Sequence, residues 1–369
     1  MTTHDTVVIG GGAMGSATAW QLALRGRDVL LLEQFEPGHV RGASHGRSRN
    51  FNIAYAQPEY VELLVEAARL WRELEEQSGT ALLDQVGIVN SGRPADYPVV
   101  AEALAAVGFD AEFVDPVEAA RRWPGIRFES TVLFNPQAGR LDADASVTAL
   151  QRVAAAHGAE IRHHTKVLRV DVTADDSVTL EVDTAGVLST IVARRVVVTA
   201  GAWTSTLLDG IAPVPRLVVT QEQPAHFAVT DDSFTWPGFN LAPPPGDDYW
   251  YSGVYGMFTP GQGVKAGWHG VGPVVDPDRR SFEPEPVQFA ALERFAREWL
   301  PGVDPTRAAP ISCTYTTSPD SNFVLDRSGP IIVGAGFSGH GFKFTPAIGR
   351  VLADLADGAH PSSHFFAFR

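Results

Sequence analysis

The chain has 369 residues, of which 44% are hydrophobic and 20% are charged, and its formal net charge is −14. This composition is ordinary for a globular protein and leaves room for one large domain or two interleaved ones. The acidic balance disfavours nucleic acid as a partner, because phosphate binding needs a basic face. No apolar run approaches the length of a membrane span, so we expect no membrane partner.

The cysteine content and the first residues bear on the compartment. A single cysteine excludes an internal disulfide and fits a reducing compartment. After "MTTHD" the chain enters an apolar strand without a basic segment or a cleavage site, so we expect no signal peptide. We therefore predict a cytoplasmic protein, and the sequence leaves its assembly open between a monomer and a small homo-oligomer.

The N-terminal segment predicts a strand, a glycine turn, a helix and a second strand. Residues 7–9 and Val29–Leu32 are short apolar runs, and apolar residues recur at helical spacing from Ala13 to Leu24. Gly26 can end that helix. Two apolar strands around one helix imply a parallel βαβ unit.

The glycine turn of this unit has the pattern of a dinucleotide site. "GGGAMGSA" contains Gly10-x-Gly12-x-x-Gly15, and Glu33 closes the second strand. Residues without a Cβ let a pyrophosphate approach the backbone, and the helix N-terminus offers amides and a partial positive charge. Glu33 is placed to accept hydrogen bonds from an adenosine ribose. The motif predicts dinucleotide binding but does not distinguish a flavin from a nicotinamide cofactor.

Further elements follow along the chain. Helices are predicted at residues 59–77, 145–157 and 286–300, and strands at residues 160–170, 178–184, 187–192 and 195–199. Turn residues separate the first three of these strands, which favours an antiparallel meander. Residues 212–285 are rich in proline, glycine and aromatic residues, which indicates a second, substrate-facing domain. The C-terminal segment returns to a strand, a glycine turn and a helix.

Short motifs along the chain resemble those of a known flavoprotein family. They are "GGGAMGSA", "GASHGRSR", "RRWPGI", "TAGAWT", "GVKAGWH", "SCTYTTSPD" and "GFSGHGFKF". In order and spacing they are similar to the monomeric sarcosine oxidase and N-methyltryptophan oxidase family, within the D-amino-acid-oxidase-like flavoproteins. Bacterial fructosyl-amino-acid oxidases resemble the same family. The resemblance covers nearly the full length of the chain.

The resemblance implies an α/β (α+β) fold with two domains. One is a glutathione-reductase-like FAD-binding domain that contains the βαβ unit, and the other is a substrate domain built on a mixed or antiparallel sheet. We expect residues 1–84, 144–212 and 312–369 to form the FAD-binding domain. Residues 85–143 and 213–311 would form the substrate domain.

The resemblance also implies covalent FAD. In the family the 8α-methyl carbon of FAD is attached to a cysteine that precedes a Thr/Met-Tyr pair, as Cys313 precedes Thr314 and Tyr315. A thiolate is a good nucleophile toward such a carbon, although a lone cysteine taken by itself is more often a buried small side chain. The expected cofactor-binding residues are Gly10, Gly12, Met14, Gly15, Glu33, Ser44, His45, Arg49, Val167, Gly201, Cys313, Gly339, Gly341 and Lys343.

Catalytic roles follow from the same resemblance, for Lys265, His269, Tyr315, Lys343 and Arg49. Lys265 would face the flavin and assist oxygen reduction, because a fixed cation stabilises developing negative charge. His269 lies four residues on and would share its side of an extended segment. Each has a purely structural alternative, such as a solvated lysine, a hydrogen-bonded histidine or a core tyrosine.

The expected substrate residues are Asn52, Tyr251, His269, Tyr315 and Lys343. Lys343 would bind the substrate carboxylate. Asn52 departs from the family, which has a second arginine at that position, three residues after Arg49. A neutral amide grips a carboxylate less strongly than a bidentate guanidinium. We therefore expect a substrate larger than sarcosine.

These residues predict an FAD-dependent amine oxidase that acts on a small-molecule amine and O2. It would oxidise the C–N bond of a secondary-amine amino acid, either N-alkyl or N-fructosyl, to an imine and release H2O2. The alternatives are an FAD dehydrogenase with another electron acceptor, a non-catalytic flavin-binding subunit and a nicotinamide dehydrogenase. No metal site is expected, because the adjacent His163 and His164 would point to opposite faces of a strand.

Overall fold

The computed structural model describes residues 2–244, 246, 248–360 and 363–368. Its α-helices are α1 (Ala13–Leu24), α2 (Pro58–Ser78), α3 (Tyr97–Ala105), α4 (Pro116–Arg122), α5 (Ala143–Ala156), α6 (Thr204–Leu207), α7 (Pro286–Trp299) and α8 (Thr345–Ala356). Within these described residues, no helix is long and apolar enough to span a bilayer.

The strands fall into two halves along the chain. The first half has β1 (Thr2–Ile9), β2 (Val29–Leu32), β3 (Arg49–Phe51), β4 (Leu83–Asp84), β5 (Ile88–Ser91), β6 (Glu112–Val114), β7 (Val132–Asn135), β8 (Gly139–Leu141), β9 (Glu160–Arg162), β10 (Thr165–Ala174), β11 (Ser177–Thr184) and β12 (Val187–Val198). The second half has β13 (Val218–Glu222), β14 (Ala225–Val229), β15 (Gly238–Leu241), β16 (Val254–Thr259), β17 (Gly263–Trp268), β18 (Val303–Pro310), β19 (Cys313–Thr317), β20 (Val324–Ser328) and β21 (Ile331–Ala335).

The first large sheet is built on parallel strands. Its order is β10-β11-β12-β1-β2-β9, and β21 pairs with both β12 and β20. Because β9, β2, β1, β12 and β21 run parallel, their carboxyl ends meet at one edge of the sheet. The glycine turn after β1 and the residues that follow β2, β12 and β21 therefore lie close together, which is where such folds bind their ligands.

Helices cover this sheet and bring α1 against α8. A Cβ added at Gly349 of α8 would lie 2.6 Å from the Cβ of Ala17 in α1, so glycine is what permits the close contact. α2 begins with Pro58 in its first turn and ends at Gly79, whose φ is +63°. The predicted helix at 59–77 is confirmed with one residue added at each end, and the helix predicted at 145–157 begins two residues earlier, at Ala143.

Two strand predictions need correction. The predicted strand at 160–170 is two strands, because the chain turns at His164, whose φ is +53°. The strands predicted at 187–192 and 195–199 are one strand, β12, which pairs with β11 over its first part and with β21 over its last. The antiparallel meander of β10, β11 and β12 is confirmed.

The second large sheet is mainly antiparallel. Its order is β18-β14-β17-β16-β15-β5-β7-β6, with β15 and β5 running parallel. α7 packs on it through an aromatic cluster in which Trp250 lies edge-on to Phe295 and Trp299. Two smaller sheets, β3-β8-β4 and β13-β19, carry further functional candidates. The predicted α/β class, with a parallel-stranded sheet and a mixed sheet, is confirmed.

Candidate active site

An elongated cavity of about 600 Å³ lies at the carboxyl edge of the first sheet, and we call it the first cavity. Gly10 and Gly12 line it. Gly10 has φ +101°, and a Cβ on Gly12 would lie 3.0 Å from the Oγ of Ser44. That hydroxyl accepts a hydrogen bond from the Ala13 N–H at 2.9 Å. The absence of side chains at Gly10 and Gly12 leaves the backbone of the turn accessible from the cavity.

Gly15 is the third glycine of the motif, and it lies behind the turn. It does not line the first cavity, and a Cβ on Gly15 would lie 1.9 Å from the carbonyl oxygen of Gly10. Gly15 therefore allows α1 to pack closely against the turn, which is the role of the third glycine in such motifs. Its part in a cofactor site would be to shape the turn.

Glu33 is the buried acid at the end of β2, and it lines the first cavity. Its carboxylate accepts hydrogen bonds from the Gly11 N–H at 2.7 Å and the Phe35 N–H at 2.9 Å. Burial raises the pKa of Glu33, but hydrogen bonding with His39 and with these backbone amides outweighs it, so the net pKa lies below the usual value. Glu33 is held as a carboxylate that accepts hydrogen bonds.

The first cavity contains other expected residues and further ones that sequence reasoning missed. It is lined by Met14, Ser44, Val167, Gly201 and Gly341, which were expected to bind the cofactor. The missed residues include Gln151, whose Nε2 donates to the Gly11 carbonyl at 2.9 Å, and His163. The Nδ1 of His163 is buried without a hydrogen-bond partner. His163 is one of the two adjacent histidines, His163 and His164, at which no metal site was expected from the sequence.

A second cavity of about 700 Å³ meets the first. Six residues line both cavities, and we call this set the junction: His45, Arg49, Cys313, Tyr315, Gly339 and Phe342. Gly339 is needed there, because its φ is +79° and a Cβ would lie 2.1 Å from the Tyr315 ring. Five of the six were predicted from the sequence. The junction is where a group held in the first cavity can face a molecule in the second.

The junction is positively charged. Arg49 donates to the carbonyl oxygens of Ser48, Ala43 and His45. Burial, followed by the charges of Arg49, Lys265 and Arg280, lowers the pKa of His45 to about 3. His45 is therefore a neutral imidazole among cations, and its Nε2 is buried without a partner. Such a site suits a group that carries or develops negative charge.

Cys313 and Tyr315 share one side of β19. Cys313 is partly buried, and its Sγ lies 4.0 Å from the Ala43 carbonyl oxygen. Both residues line the junction, as expected for positions two apart on an extended strand. The Tyr315 hydroxyl lies 3.3 Å from the Nδ1 of His269. The thiol thus opens on the first cavity and the phenol is directed to the second.

Lys265 and Lys343 are buried on the walls of the second cavity, with exposed fractions of 4% and 5%. Lys265 Nζ donates to the Ser48 carbonyl at 3.1 Å, and Lys343 Nζ donates to the His340 carbonyl at 2.8 Å. Within the described part of the chain, neither ammonium forms an ion pair with a carboxylate. Burial lowers the pKa of each lysine to about 7, with the Arg49 charge adding to the effect on Lys265.

A directed chain of hydrogen bonds fixes Lys343. Its Nζ donates to the Tyr55 hydroxyl at 3.1 Å, and that hydroxyl lies 3.1 Å from the Nδ1 of His340. The Nε2 of His340 lies 3.1 Å from the Ser321 carbonyl, which can only accept. His340 therefore carries its proton on Nε2 and accepts from Tyr55 on Nδ1. Sequence reasoning missed Tyr55 and His340, although His340 stands inside "GHGFKF".

His269 is open to the second cavity, although protein surrounds most of its ring. Burial, and then the charge of Lys343, lowers its pKa. Tyr251, which was expected to join it, does not line either cavity. Its side chain is 44% exposed and packs against Trp268. Its near neighbour Tyr255, on β16, lines the second cavity instead.

Asparagines line one part of the second cavity. The Oδ1 of Asn52 accepts from the Ala54 N–H at 3.2 Å, which leaves its amide NH2 for a ligand. Asn50 donates to Asn240, and Asn240 donates to Asn90 at 2.9 Å. We call Asn50, Asn52, Asn90 and Asn240 the asparagine row. Only Asn52 was predicted, because the others come from β3, β5 and β15 and meet only in the fold.

The described residues fit FAD. The cavity follows the glycine turn and Glu33, which suit a pyrophosphate and a ribose, and then reaches the junction. The buried, unpartnered nitrogens of His45 and His163 both belong to residues that line this cavity. No group of three or more metal-ligating side chains occurs among the described residues.

Comparisons with known proteins agree with this geometry. The model of the family described as FAD dependent oxidoreductase matches residues 5–355. The chain is 32% identical to monomeric sarcosine oxidase from Bacillus sp. (strain B-0618), over 96% of this chain and 93% of that protein. It is 28% identical to N-methyl-L-tryptophan oxidase from Salmonella agona (strain SL483), over 99% and 98% of the two chains.

A solved structure is similar over the whole chain. It is the open form of NikD, an unusual amino acid oxidase essential for nikkomycin biosynthesis, with a TM-score of 0.86 and 26% sequence identity. The alignment covers 100% of this chain and 98% of that one. The resemblance inferred from the sequence motifs is confirmed.

The lowered pKa of Lys343 predicts that carboxylate binding in the second cavity depends on pH. Carboxylate binding in the second cavity needs the ammonium form, which is lost as pH rises through about 7. The dissociation constant of acetate, measured by calorimetry, should therefore rise with pH across this range, by about tenfold per pH unit above the pKa. The pKa of His340 is lowered to about 3 by burial and the Lys343 charge, so His340 does not titrate there.

The matched control is Lys343→Arg, which keeps a positive charge at every pH of the titration. Acetate binding to this variant should lose its dependence on pH. The same pH dependence in the variant and the wild type would assign the titration to another group, such as Lys265, and would contradict the prediction.

Proposed function

This chain belongs to the family of FAD dependent oxidoreductases, and we propose that it is an oxidase that holds FAD covalently and oxidises the C–N bond of an N-substituted amino acid with O2. The observation that carries the proposal is the junction. There the thiol of Cys313, the charge of Arg49 and the phenol of Tyr315 border both a dinucleotide cavity and a second cavity with buried cations.

The residues that would hold FAD are those of the first cavity and the junction. Gly10, Gly12 and Glu33 would bind the pyrophosphate and the ribose, and Cys313 would be the covalent tether. When bound, FAD supplies a two-electron acceptor for the substrate. Sheet membership supports the proposed domains, because the first sheet draws on residues 2–32, 160–198 and 324–335, whereas β5 to β7 and β14 to β18 all belong to the second.

Lys343 and His269 would bind and orient the substrate. The Lys343 ammonium is held by Tyr55 and by the His340 carbonyl, so it offers a fixed charge to a carboxylate. His269 is neutral near pH 7, because its pKa is lowered. A neutral imidazole can accept the amine proton, which keeps the nitrogen lone pair available for oxidation to an imine.

Lys265 would serve the reaction with O2. Its ammonium lies beside the junction, and among the described residues its hydrogen-bond acceptor is the Ser48 carbonyl alone. A buried cation without a counter-ion stabilises the negative charge that develops as O2 is reduced to H2O2. This residue supports an oxidase over a dehydrogenase with another acceptor.

The asparagine row supports a polar substituent on the substrate. The asparagines partly satisfy one another, but the buried Oδ1 of Asn50 has no partner among the described residues, and the NH2 of Asn52 is left for a ligand. Such uncharged amide groups suit hydroxyl or carbonyl oxygens, whereas an alkyl or aryl group would leave these two without partners. Among the two substrate classes that the sequence left open, N-fructosyl and N-alkyl amino acids, the row favours the hydroxylated one. Asn52, which stands where the family has a second arginine, also favours the hydroxylated class.

A cytoplasmic location remains an expectation, supported by the single cysteine.

Acid precipitation tests the tether. The wild-type protein should carry its yellow colour into the acid pellet, because a thioether survives denaturation. Cys313→Ser should release all flavin into the supernatant while still binding FAD before acid treatment. A yellow pellet from Cys313→Ser would place the attachment elsewhere.

Lys265→Met should slow reoxidation of the reduced enzyme by O2 by about 10²–10³-fold, because it removes a preorganised charge. Reduction by substrate without oxygen should change far less, and stopped-flow absorbance measures both steps. Lys343→Met is the control, with weaker substrate binding and unchanged reoxidation. Wild-type reoxidation in Lys265→Met would contradict the assignment.

A peroxide assay tests the substrate class with sarcosine, N-methyl amino acids, cyclic imino acids and fructosyl amino acids. We expect the highest kcat/KM for a fructosyl amino acid. Asn240→Leu should lower that value by about tenfold or more, because it leaves substrate hydroxyls without partners. The same variant should leave the N-methyl substrates largely unaffected. A preference for sarcosine that Asn240→Leu does not alter would contradict the role of the asparagine row.

A further inference from the structure

Arg280 is a buried cation that the proposed reaction does not use. It lies in the connection between β17 and α7, and only 7% of its surface is exposed. Its guanidinium stacks on the Phe282 ring, with the central carbon 3.9 Å from the ring centroid. Neither of the two cavities includes it in its lining. Burial of a guanidinium raises the free energy of the fold unless its N–H donors form hydrogen bonds, so the partners of Arg280 indicate its role.

Its partners belong to two segments whose neighbouring residues, 42–45 and Cys313, line the first cavity. One terminal nitrogen donates to the carbonyl oxygens of Val40 at 3.0 Å and Arg41 at 2.9 Å. The other donates to the Ser312 hydroxyl at 2.8 Å, with a longer contact of 3.4 Å to the Cys313 carbonyl. One planar side chain therefore joins the loop at 40–45 to the first residue of β19.

The loop at 40–45 and the thiol of Cys313 lie close together near Arg280. Cys313 Sγ lies 4.0 Å from the carbonyl oxygen of Ala43, within the same loop. Burial lowers the pKa of Arg280, and its proximity to Cys313 acts in the opposite direction, so the two groups are within electrostatic reach. Among the described residues, the buried Nε of Arg280 has no hydrogen-bond partner.

The connection that carries Arg280 is itself held in place. The Gln221 amide donates to the Glu283 carbonyl at 2.9 Å and accepts from the Phe282 N–H at 3.2 Å. Gln221 lies on β13, which pairs with β19. Arg280 is thus anchored to the strand pair that contains Cys313 and reaches from it to the opposite loop.

We propose that Arg280 is a positioning residue for covalent attachment of FAD, holding the backbone of Cys313 against the loop at 40–45. This inference rests on the proposed tether at Cys313. Attachment exchanges a C–H bond of the 8α-methyl group and the S–H bond for one C–S bond. The two protons and two electrons released pass through the flavin to O2, which leaves as H2O2.

The test separates FAD binding from FAD attachment. Wild type, Arg280→Met, Arg280→Lys and the control Arg41→Met are purified as expressed and incubated in air with excess FAD. Acid precipitation then measures attached flavin in the pellet and dissociable flavin in the supernatant over time. Arg41 is exposed and accepts the hydrogen bond of Arg280 on its backbone carbonyl, so a change of its side chain keeps this hydrogen bond while it removes a second guanidinium from the Phe282 ring.

We expect Arg280→Met to bind FAD with little change in affinity and to attach it about tenfold or more slowly, the effect of a lost charge-assisted hydrogen bond. Arg280→Lys keeps the charge but cannot bridge the two segments, so it should attach FAD faster than Arg280→Met and slower than wild type. Arg41→Met should match the wild type. A purely structural role would instead reduce FAD binding and attachment together.

Three results would overturn the inference. The first is full attachment in Arg280→Met with FAD bound. The second, decisive if Arg280→Met does not fold, is a wild-type attachment rate in Arg280→Lys. The third is a wild-type protein whose flavin stays in the supernatant, which would remove the tether and hence this part of the proposed function as well. The first two leave the tether intact, so the failures can be told apart.

Discussion

Burial of two ammonium groups without carboxylate partners is the constraint on which the site depends. Lys265 and Lys343 are both held by carbonyl oxygens, and a pKa of about 7 rather than 10.5 means that burial raises the free energy of each charge. The cost is on the order of 5 kcal/mol for each lysine at a pH where it stays protonated. A binding partner with negative charge recovers part of that cost.

Other features of the fold arrange the surroundings of these charges. The parallel strands gather the glycine turn, Glu33 and the residues after β12 and β21 at one edge, and the smaller sheets carry Arg49 and Cys313 to the same place. Arg49 gives the junction a fixed positive charge, and His45 stays neutral beside it. Tyr55 and His340 then orient Lys343, so that its charge is fixed before a ligand arrives.

Local sequence signals predicted the parts of the site that depend on local geometry. The glycine turn, Glu33 and the alternation of Cys313 with Tyr315 each follow from one element. The asparagine row could not be predicted, because Asn90 and Asn240 meet only when β5 pairs with β15. Tyr251 was chosen over Tyr255 because the pattern did not show which tyrosine continues into β16, where Tyr255 faces the cavity and Tyr251 stays outside. The break between β9 and β10 depends on a left-handed His164, a conformation that a non-glycine residue rarely adopts.

The most direct measurement is the mass of the peptide that contains Cys313, after digestion of the denatured protein. We expect a single modified peptide, heavier than its sequence by FAD less the two hydrogen atoms lost on attachment, with flavin absorbance in the same fraction. An unmodified peptide whose thiol reacts fully with an alkylating reagent, together with all FAD recovered as the free cofactor, would contradict covalent attachment at Cys313.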